Sequence, residues 1–409
     1  MENEELNILS LDIGTNSVHG VIAKYNDINS KIEVLSANTY VCDGIKDGAI
    51  TAIQDAKYTI EKFFINAEKD FFIKEFDYIL CAVRGSLIEV FNSGVRYKIS
   101  EDYEVEITGE TVEDIRIRLE DNCKIEEKKE IVDIIPQQYI IDEDQRVVDP
   151  VGMSGKYLEL TAIVVVGTKN NMNNIRKAAN DPVLKYGYVA LSDTLVSKED
   201  KKNNCIFVDI GDMTTGVVVY REGKIKCSFE LNFGSYYVTR DIIKELKVNQ
   251  KEASNIKETY GVVLEDLIDE KDNVEFEYTT YNGKKQMFTK RQLVDVIKPQ
   301  IELQLNKLEE KLEEKNVIVD EYVGGFILTG AGSLLKGMPE SFEKFFNTVA
   351  KVANFSDEDV ICSDKGIIDS QVYTTALSVI KNEAKDFVKS ERKSKGFLSK
   401  LKDLFKEIS

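Results

Sequence analysis

The sequence predicts an α/β protein of two related domains, with a smaller α+β module inserted into the first. Three observations carry this. The run Leu11-Asp12-Ile13-Gly14, flanked by apolar strands, recurs in mid-chain as Val208-Asp209-Ile210-Gly211. Between the copies, from Arg84 to about Val166, the texture changes to strands alternating with one charged helix. A third glycine-rich segment, Gly330-Ala331-Gly332-Ser333, follows a short apolar strand near the end of the body.

Each element has a local reason. Leu6–Ile13 and Val18–Tyr25 read as a hairpin with an acidic residue and a glycine at its tip, and Ile32–Val41 reads as a third strand. Gly44 and Gly48 bracket a turn before a helix-period stretch, Ile50–Phe64, and Ile79–Val83 is a short buried strand. In the inserted module the strand Leu87–Phe91 precedes a helix over Thr111–Asn122, whose Thr-x-x-Asp opening reads as a cap. Strands Ile131–Ile135 and Tyr139–Ile141 and a turn at Asp149-Pro150-Val151-Gly152 complete it. Asn171–Ala179 reads as helix, and Cys205–Tyr220 as the second hairpin. Residues 234–312 read as mainly helical, broken by a hairpin at Phe276–Phe288 with Asn282-Gly283 at its turn. Phe326–Thr329 is a buried strand, Leu334 and Leu335 open a helix after the glycine segment, and Ser370–Ala384 is a last helix-period run.

Composition narrows the function. Hydrophobic residues make up 43% and charged residues 31% of the 409, the balance of a soluble domain protein large enough for two cores. No apolar run approaches the ~20 residues that span a bilayer, and no basic-then-apolar leader is present. The six cysteines are scattered without a CxxC pair, as expected of reduced cytosolic thiols. One histidine and no cysteine cluster disfavour zinc. The net charge of −18 disfavours nucleic acid. That charge is uneven. Residues 381–409 hold nine Lys/Arg against five Asp/Glu, so the preceding 380 residues carry a net −22.

The hairpin tips suit phosphate binding. Gly14 and Gly211 let the backbone approach a phosphate closely, and Thr15, Asn16 and Ser17 offer hydroxyl and amide donors. Asp12 and Asp209 would repel a bare phosphate, so they imply Mg²⁺ held through water between carboxylate and phosphate. The small residues of Gly330–Ser333 let backbone pack against a base or sugar. No Walker-type P-loop occurs in the sequence. The single histidine, His19, reads as an ordinary strand residue.

Two phosphate hairpins followed by a glycine-rich turn resemble the actin/Hsp70/sugar-kinase ATPase superfamily, and within it the chain is most similar to the FtsA cell-division family. The likeness rests on Ile134-Ile135-Pro136-Gln137-Gln138-Tyr139-Ile140-Ile141-Asp142, on Asp149-Pro150-Val151-Gly152-Met153-Ser154-Gly155, on Asp43-Gly44-Ile45-Lys46-Asp47-Gly48, and on Gly324-Gly325-Phe326-Ile327-Leu328-Thr329-Gly330. The resemblance implies an actin-like, ribonuclease H-like duplicated two-domain fold with an inserted 1C subdomain. Its parts would be 1–83 and 167–200 (1A), 84–166 (1C), 201–245 and 313–380 (2A), 246–312 (2B) and a charged linker, 381–395. It implies ATP and Mg²⁺ bound by Asp12, Gly14, Thr15, Asn16, Ser17, Asp209, Gly211, Thr214, Gly234, Lys257, Gly330, Gly332 and Ser333. The chain departs from the family pattern at Asp212 and Met213, which fill glycine places, at Ser254 where a ribose-gripping Glu is common, and at Ala331. Those departures imply at most a weak ATPase.

Residues 396–409 place Phe397, Leu398, Leu401, Leu404, Phe405 and Ile408 on one helical stripe, with Lys400 and Lys402 available to anionic headgroups. The family's membrane-targeting helix occupies the same place. The resemblance further implies a filament-forming adaptor that tethers the tubulin-like protein FtsZ to the cytoplasmic side of the cell membrane at the division site. FtsZ would dock its C-terminal tail near Lys290 and Arg291, and other divisome proteins would join. A small-molecule kinase of the superfamily, or an FtsA-like adaptor of pilus or secretion assembly, are the alternatives.

Overall fold

The computed structural model describes residues 5–26, 28–46, 48–269, 271, 273–356 and 358–384. They divide into two units: one holds the described parts of Met1–Arg84, Met172–Leu195 and Phe355–Ser409, the other Gly85–Asn171 and Val196–Asn354.

In the first unit, strands Glu5–Ile13, Ser17–Asn26 and Lys31–Val41 form an antiparallel meander. Tyr78–Val83 and then Val183–Tyr186 add in parallel beside Glu5–Ile13, and Val360–Cys362 closes the far edge beside Lys31–Val41. Alternation along the strands sends Leu6, Ile8, Val21 and Ala23 into one core with Ala376, Leu377, Val379 and Ile380, which lie on the helical residues 374–384. The helix Ile53–Phe71 packs the opposite parity. Its Phe63 ring fills the space that a side chain at Gly20 would need. This helix runs seven residues beyond the expected Phe64. Ala67 continues its buried stripe, and Phe72 ends it in the left-handed conformation.

The second unit repeats the plan. Strands Cys205–Ile210, Thr215–Arg221 and Lys224–Leu231 form a meander, and Phe326–Thr329 and Ala350–Val352 add in parallel beside the first of them. The equivalence extends to single residues. Ile13 pairs with Val18 and Ile210 with Thr215 as the last rung of each hairpin. Asp12 and Asp209 each lie one position before that rung and also pair with the parallel neighbour, at Ala82 and Thr329. The helix Lys290–Glu314 threads Leu293, Ile297, Ile301, Leu305, Leu308 and Leu312 through one continuous core with Ile206, Val208 and Leu328.

Two expected boundaries move. The resemblance implies residues 313–380 together in subdomain 2A, but from Phe355 onward the chain packs on the first sheet, where Val360–Cys362 pairs with Lys31–Val41. The boundary between 2B and 2A at 312 falls inside the helix Lys290–Glu314, whose single apolar stripe gives no break in packing.

The inserted module is a four-stranded antiparallel sheet, in the order Gln145–Val147, Lys129–Ile141, Tyr157–Thr168, Ile88–Lys98. The helix Gly109–Asn122 covers it through Ile115 and Leu119. Its cap is Thr108 rather than Thr111. The two form a capping box in which Thr111 is the reciprocal partner. The two expected strands at 131–141 are one strand, bulged where Ala162 faces Pro136 and Thr161 faces Gln138, so that Gln137 is the extra residue. The bulge aims the family-like Gln137-Gln138 pair at the edge strand Lys224–Leu231. Gln137 Oε1 accepts from the Ile225 amide at 2.8 Å, and Lys224 Nζ donates to Gln138 Oε1 at 2.7 Å. Asn92 Nδ2 adds a bond to the Lys226 carbonyl at 2.9 Å. An edge that would otherwise present open backbone is thereby occupied.

Candidate functional site

Both hairpin tips close the same way. The Gly14 amide donates to the Ser17 carbonyl at 2.9 Å, and the Gly211 amide donates to the Thr214 carbonyl at 3.0 Å. Each bond pins a four-residue loop, Gly14–Ser17 or Gly211–Thr214, directly beyond the last sheet rung. Asn16 and Asp212 stand exposed at the two tips, with Thr15 and Met213 half-buried.

The first loop is buttressed from behind. The Cys42 amide donates to the Asn16 carbonyl at 2.9 Å and the Gly48 amide to the Gly14 carbonyl at 3.3 Å. That gives the family-like segment from Asp43 to Gly48 its role. Gly44 is required there, since a Cβ would stand 2.5 Å from the Ala52 carbonyl oxygen. His19 is more than an inert strand residue. Its Nε2 lies 3.1 Å from Ser17 Oγ, and its Nδ1 lies 2.9 Å from Thr39 Oγ1. Burial lowers the His19 pKa from its ordinary value, with Asp12 opposing and Arg84 reinforcing the shift. The ring is therefore a neutral prop for the loop hydroxyl.

Arg84 was missed in the sequence. Its Nη2 donates to both carboxylate oxygens of Asp12, at 2.7 and 2.5 Å, and Asp12 is only 2% exposed. The available signal was a cation at the end of an otherwise apolar strand, Tyr78–Val83. As it stands, Asp12 does not fit the expected magnesium ligand, because a guanidinium already neutralises it. Among the described residues, no group of three or more His, Cys, Asp or Glu is arranged to hold a metal ion.

The second set gathers around its own hairpin. The Ser235 and Tyr236 amides, at the start of the helix Ser235–Leu246, donate to the Gly211 and Asp212 carbonyls at 2.9 and 2.8 Å. Gly234 makes this possible, and Thr215 Oγ1 ties the hairpin to the Phe233 carbonyl at 2.8 Å. Lys257 Nζ donates to Ser235 Oγ at 2.5 Å, with burial lowering its pKa and Asp212 opposing. On the other side, Gly330 has φ +81° and packs against Ile210, where a Cβ would meet the carbonyl oxygen at 2.5 Å. A Cβ on Gly332 would crowd the Ile210 side chain. Asp209, Gly211, Thr214, Gly234, Lys257, Gly330 and Gly332 thus belong to one constellation. Ser333 differs from the expectation, being buried with its hydroxyl donating to the Gly330 carbonyl at 2.7 Å. It closes the turn. The α-helix expected at Leu334 begins only at Met338, because Gly337 at φ +88° first redirects the chain.

Lys290 opens its helix behind the cap Thr289, and Arg291 Nε lies 3.6 Å from Glu265. The adjacent groove, ≈ 560 Å³, is lined instead by Phe288 and Val296 among Asp241, Glu245, Asp295 and Lys244. Its acidic character was not foreseen. The membrane-facing residues expected at Phe397, Leu398, Lys400, Leu401, Lys402, Leu404, Phe405 and Ile408 lie outside the described residues.

Residues 206–378 match the family described as cell division protein FtsA, and residues 85–166 match the SHS2 domain inserted in FtsA. The chain belongs to the FtsA family. The cell division protein FtsA of Bacillus subtilis is 26% identical over 365 residues, covering 87% of this chain and 80% of that protein. FtsA of Enterococcus hirae is 28% identical over 354 residues, covering 84% and 77%. Among solved structures, a PilM–PilN type IV pilus biogenesis complex aligns with TM-score 0.60 at 16% identity, covering 91% of this chain and 96% of that one. MreB5 of Spiroplasma citri bound to AMPPNP aligns with TM-score 0.56 at 12% identity, covering 94% and 99%. These likenesses establish the actin-like fold of this FtsA-family chain, and the SHS2 match is the inserted module.

Proposed function

We propose that this FtsA-family protein binds ATP through its two hairpin loops and the Gly330–Ser333 turn, and works as a polymerising tether in cell division. The observation that carries the reading is the matched closure of the two loops, Gly14 to Ser17 and Gly211 to Thr214. Duplicated closure at duplicated positions gives each loop a rigid backbone beside an acidic residue. An AMPPNP-bound MreB5 shares the fold. The glycines at 234, 330 and 332 are dictated by close backbone approach around the second loop, which is the construction a phosphate or ribose needs. Asp212, exposed at the second tip, would add negative charge beside a bound phosphate and so slow turnover.

The tether reading adds the stripe Phe397, Leu398, Leu401, Leu404, Phe405 and Ile408 with Lys400 and Lys402. Each large apolar residue yields ~1.5–3 kcal/mol if fully buried. Interfacial burial is partial, and ordering a coil costs ~1–2 kcal/mol per residue. One such helix binds an anionic membrane weakly, whereas several on one filament bind tightly through effective concentration. The partner would be the FtsZ C-terminal tail at the cytoplasmic face of the cell membrane. The groove beside Phe288 favours a peptide with an apolar residue flanked by a basic one, given Asp241, Glu245 and Asp295.

Co-sedimentation with anionic vesicles in ATP and in ADP tests the tether. The full chain is expected to pellet more in ATP, and Phe397→Asp with Leu401→Asp to leave it in the supernatant. Equal pelleting by the double variant would remove the anchor from this segment.

A further inference from the structure

The side chains around Asp12 do not match the magnesium site expected there, and the mismatch is specific. Arg84 is not a loose surface cation near a carboxylate. Its Nη2 reaches both Asp12 oxygens, its side chain is 18% exposed, and its guanidinium carbon lies 5.6 Å from the centre of the Tyr188 ring. Gly187 admits its aliphatic stem, since a Cβ there would stand 2.9 Å from Arg84 Cγ. Pairing, ring and glycine together hold the guanidinium beside the strand end that carries the first loop.

We propose that Arg84, as a fixed guanidinium, neutralises Asp12 at the first phosphate loop where a divalent cation would otherwise do so, so that nucleotide binding by this chain is largely independent of magnesium. The inference rests on the nucleotide reading above. Physically, Asp12 alone repels phosphate and needs a metal to bridge the two. Asp12 joined to a guanidinium is a neutral pair, and a guanidinium is a planar, permanently charged phosphate partner that no chelator removes. A partly buried pair also keeps its electrostatic effect at salt concentrations that screen surface charges. The functional consequence is a first loop whose occupancy follows nucleotide concentration alone.

The test is equilibrium titration of the full chain with a fluorescent ATP analogue, once with magnesium and once with EDTA. The wild-type dissociation constant is expected to change by no more than about threefold between the two conditions. Arg84→Ala is expected to lose about 10–100-fold in EDTA, the scale of a charged hydrogen bond. Magnesium is expected to restore it, because Asp12 is then free to accept metal-bound water. Arg84→Lys, which keeps the charge but not the fork, should fall between them, and thermal melts by circular dichroism check that both variants are folded. Loss of wild-type binding in EDTA would overturn the inference while leaving nucleotide binding in place. Equal affinity of wild type and Arg84→Ala in EDTA would reduce the pair to a structural contact. Absence of binding by the wild type in both conditions would instead sink the nucleotide reading itself, and this inference with it. The wild-type comparison decides even if a variant fails to fold.

Discussion

Gly234→Ala isolates the support of the second loop from its chemistry. At φ −174° the backbone is extended and accepts any residue, so the substitution acts through space alone. The new methyl carbon would stand 2.5 Å from the Asp212 carbonyl oxygen and 2.6 Å from that of Gly211, where ordinary contact begins at 3.4 Å. The loop must therefore retreat by roughly 0.8–0.9 Å, a shift typical of overpacked sites that cost about 1–3 kcal/mol. Those two carbonyls also accept from the Ser235 and Tyr236 amides. Retreat stretches both bonds, each worth about 0.5–1.5 kcal/mol, so the two estimates describe one event and are not added. Urea unfolding should show a loss of about 1–3 kcal/mol. A displacement near 1 Å at a phosphate loop should weaken nucleotide binding by at least about tenfold. A variant as stable as wild type, with unchanged nucleotide affinity, would refute the claim that Gly234 shapes the loop.

Three further outcomes are expected. Gln137→Ala leaves the Ile225 amide without its side-chain acceptor, costing about 1–3 kcal/mol; faster hydrogen exchange at that amide, with the rest of the edge strand intact, is the readout. Burial holds the His19 imidazole below its ordinary 6.5, so the unfolded chain takes up a proton that the folded one resists. The stabilisation from neutral His19 is complete above that value and declines as pH falls below it, and His19→Gln should flatten the fall of the urea midpoint between about pH 7 and pH 5. In the groove beside Phe288, Asp241→Lys with Asp295→Lys should weaken an FtsZ-type tail peptide more than Lys290→Glu with Arg291→Glu, measured by fluorescence anisotropy. The reverse order would return the docking surface to the helix start.

Much of the fold was legible because its signals are local. Apolar strands that break at Asp-Ile-Gly leave few options for the chain, and the same break twice implies a duplicated plan, which the matching strand orders bear out. The Asn282-Gly283 turn was legible for the same reason, with Phe276 pairing Phe288 across it. Non-local choices were not legible. The apolar stripe of Leu377 and Ile380 would suit either sheet, and nothing in its periodicity says that the chain returns to the first. The cap expected at Thr111 lies at Thr108, and only the backbone geometry shows this.

The site divides similarly. Gly14, Gly211, Gly330 and Gly332 were legible from their motifs, whereas Gly20, Gly187, Arg84, His19 and Gln137 act on partners far off in sequence or across a strand. Arg84 meets Asp12 only because Tyr78–Val83 lies parallel to Glu5–Ile13, a pairing invisible before the sheet is built.

A crystal structure of the full chain grown with excess ATP bears most directly on the nucleotide reading. Phosphate density in contact with Gly14–Ser17 and with Gly211–Thr214 is the expected result. Well-ordered loops without density, or nucleotide bound on another surface, would contradict it.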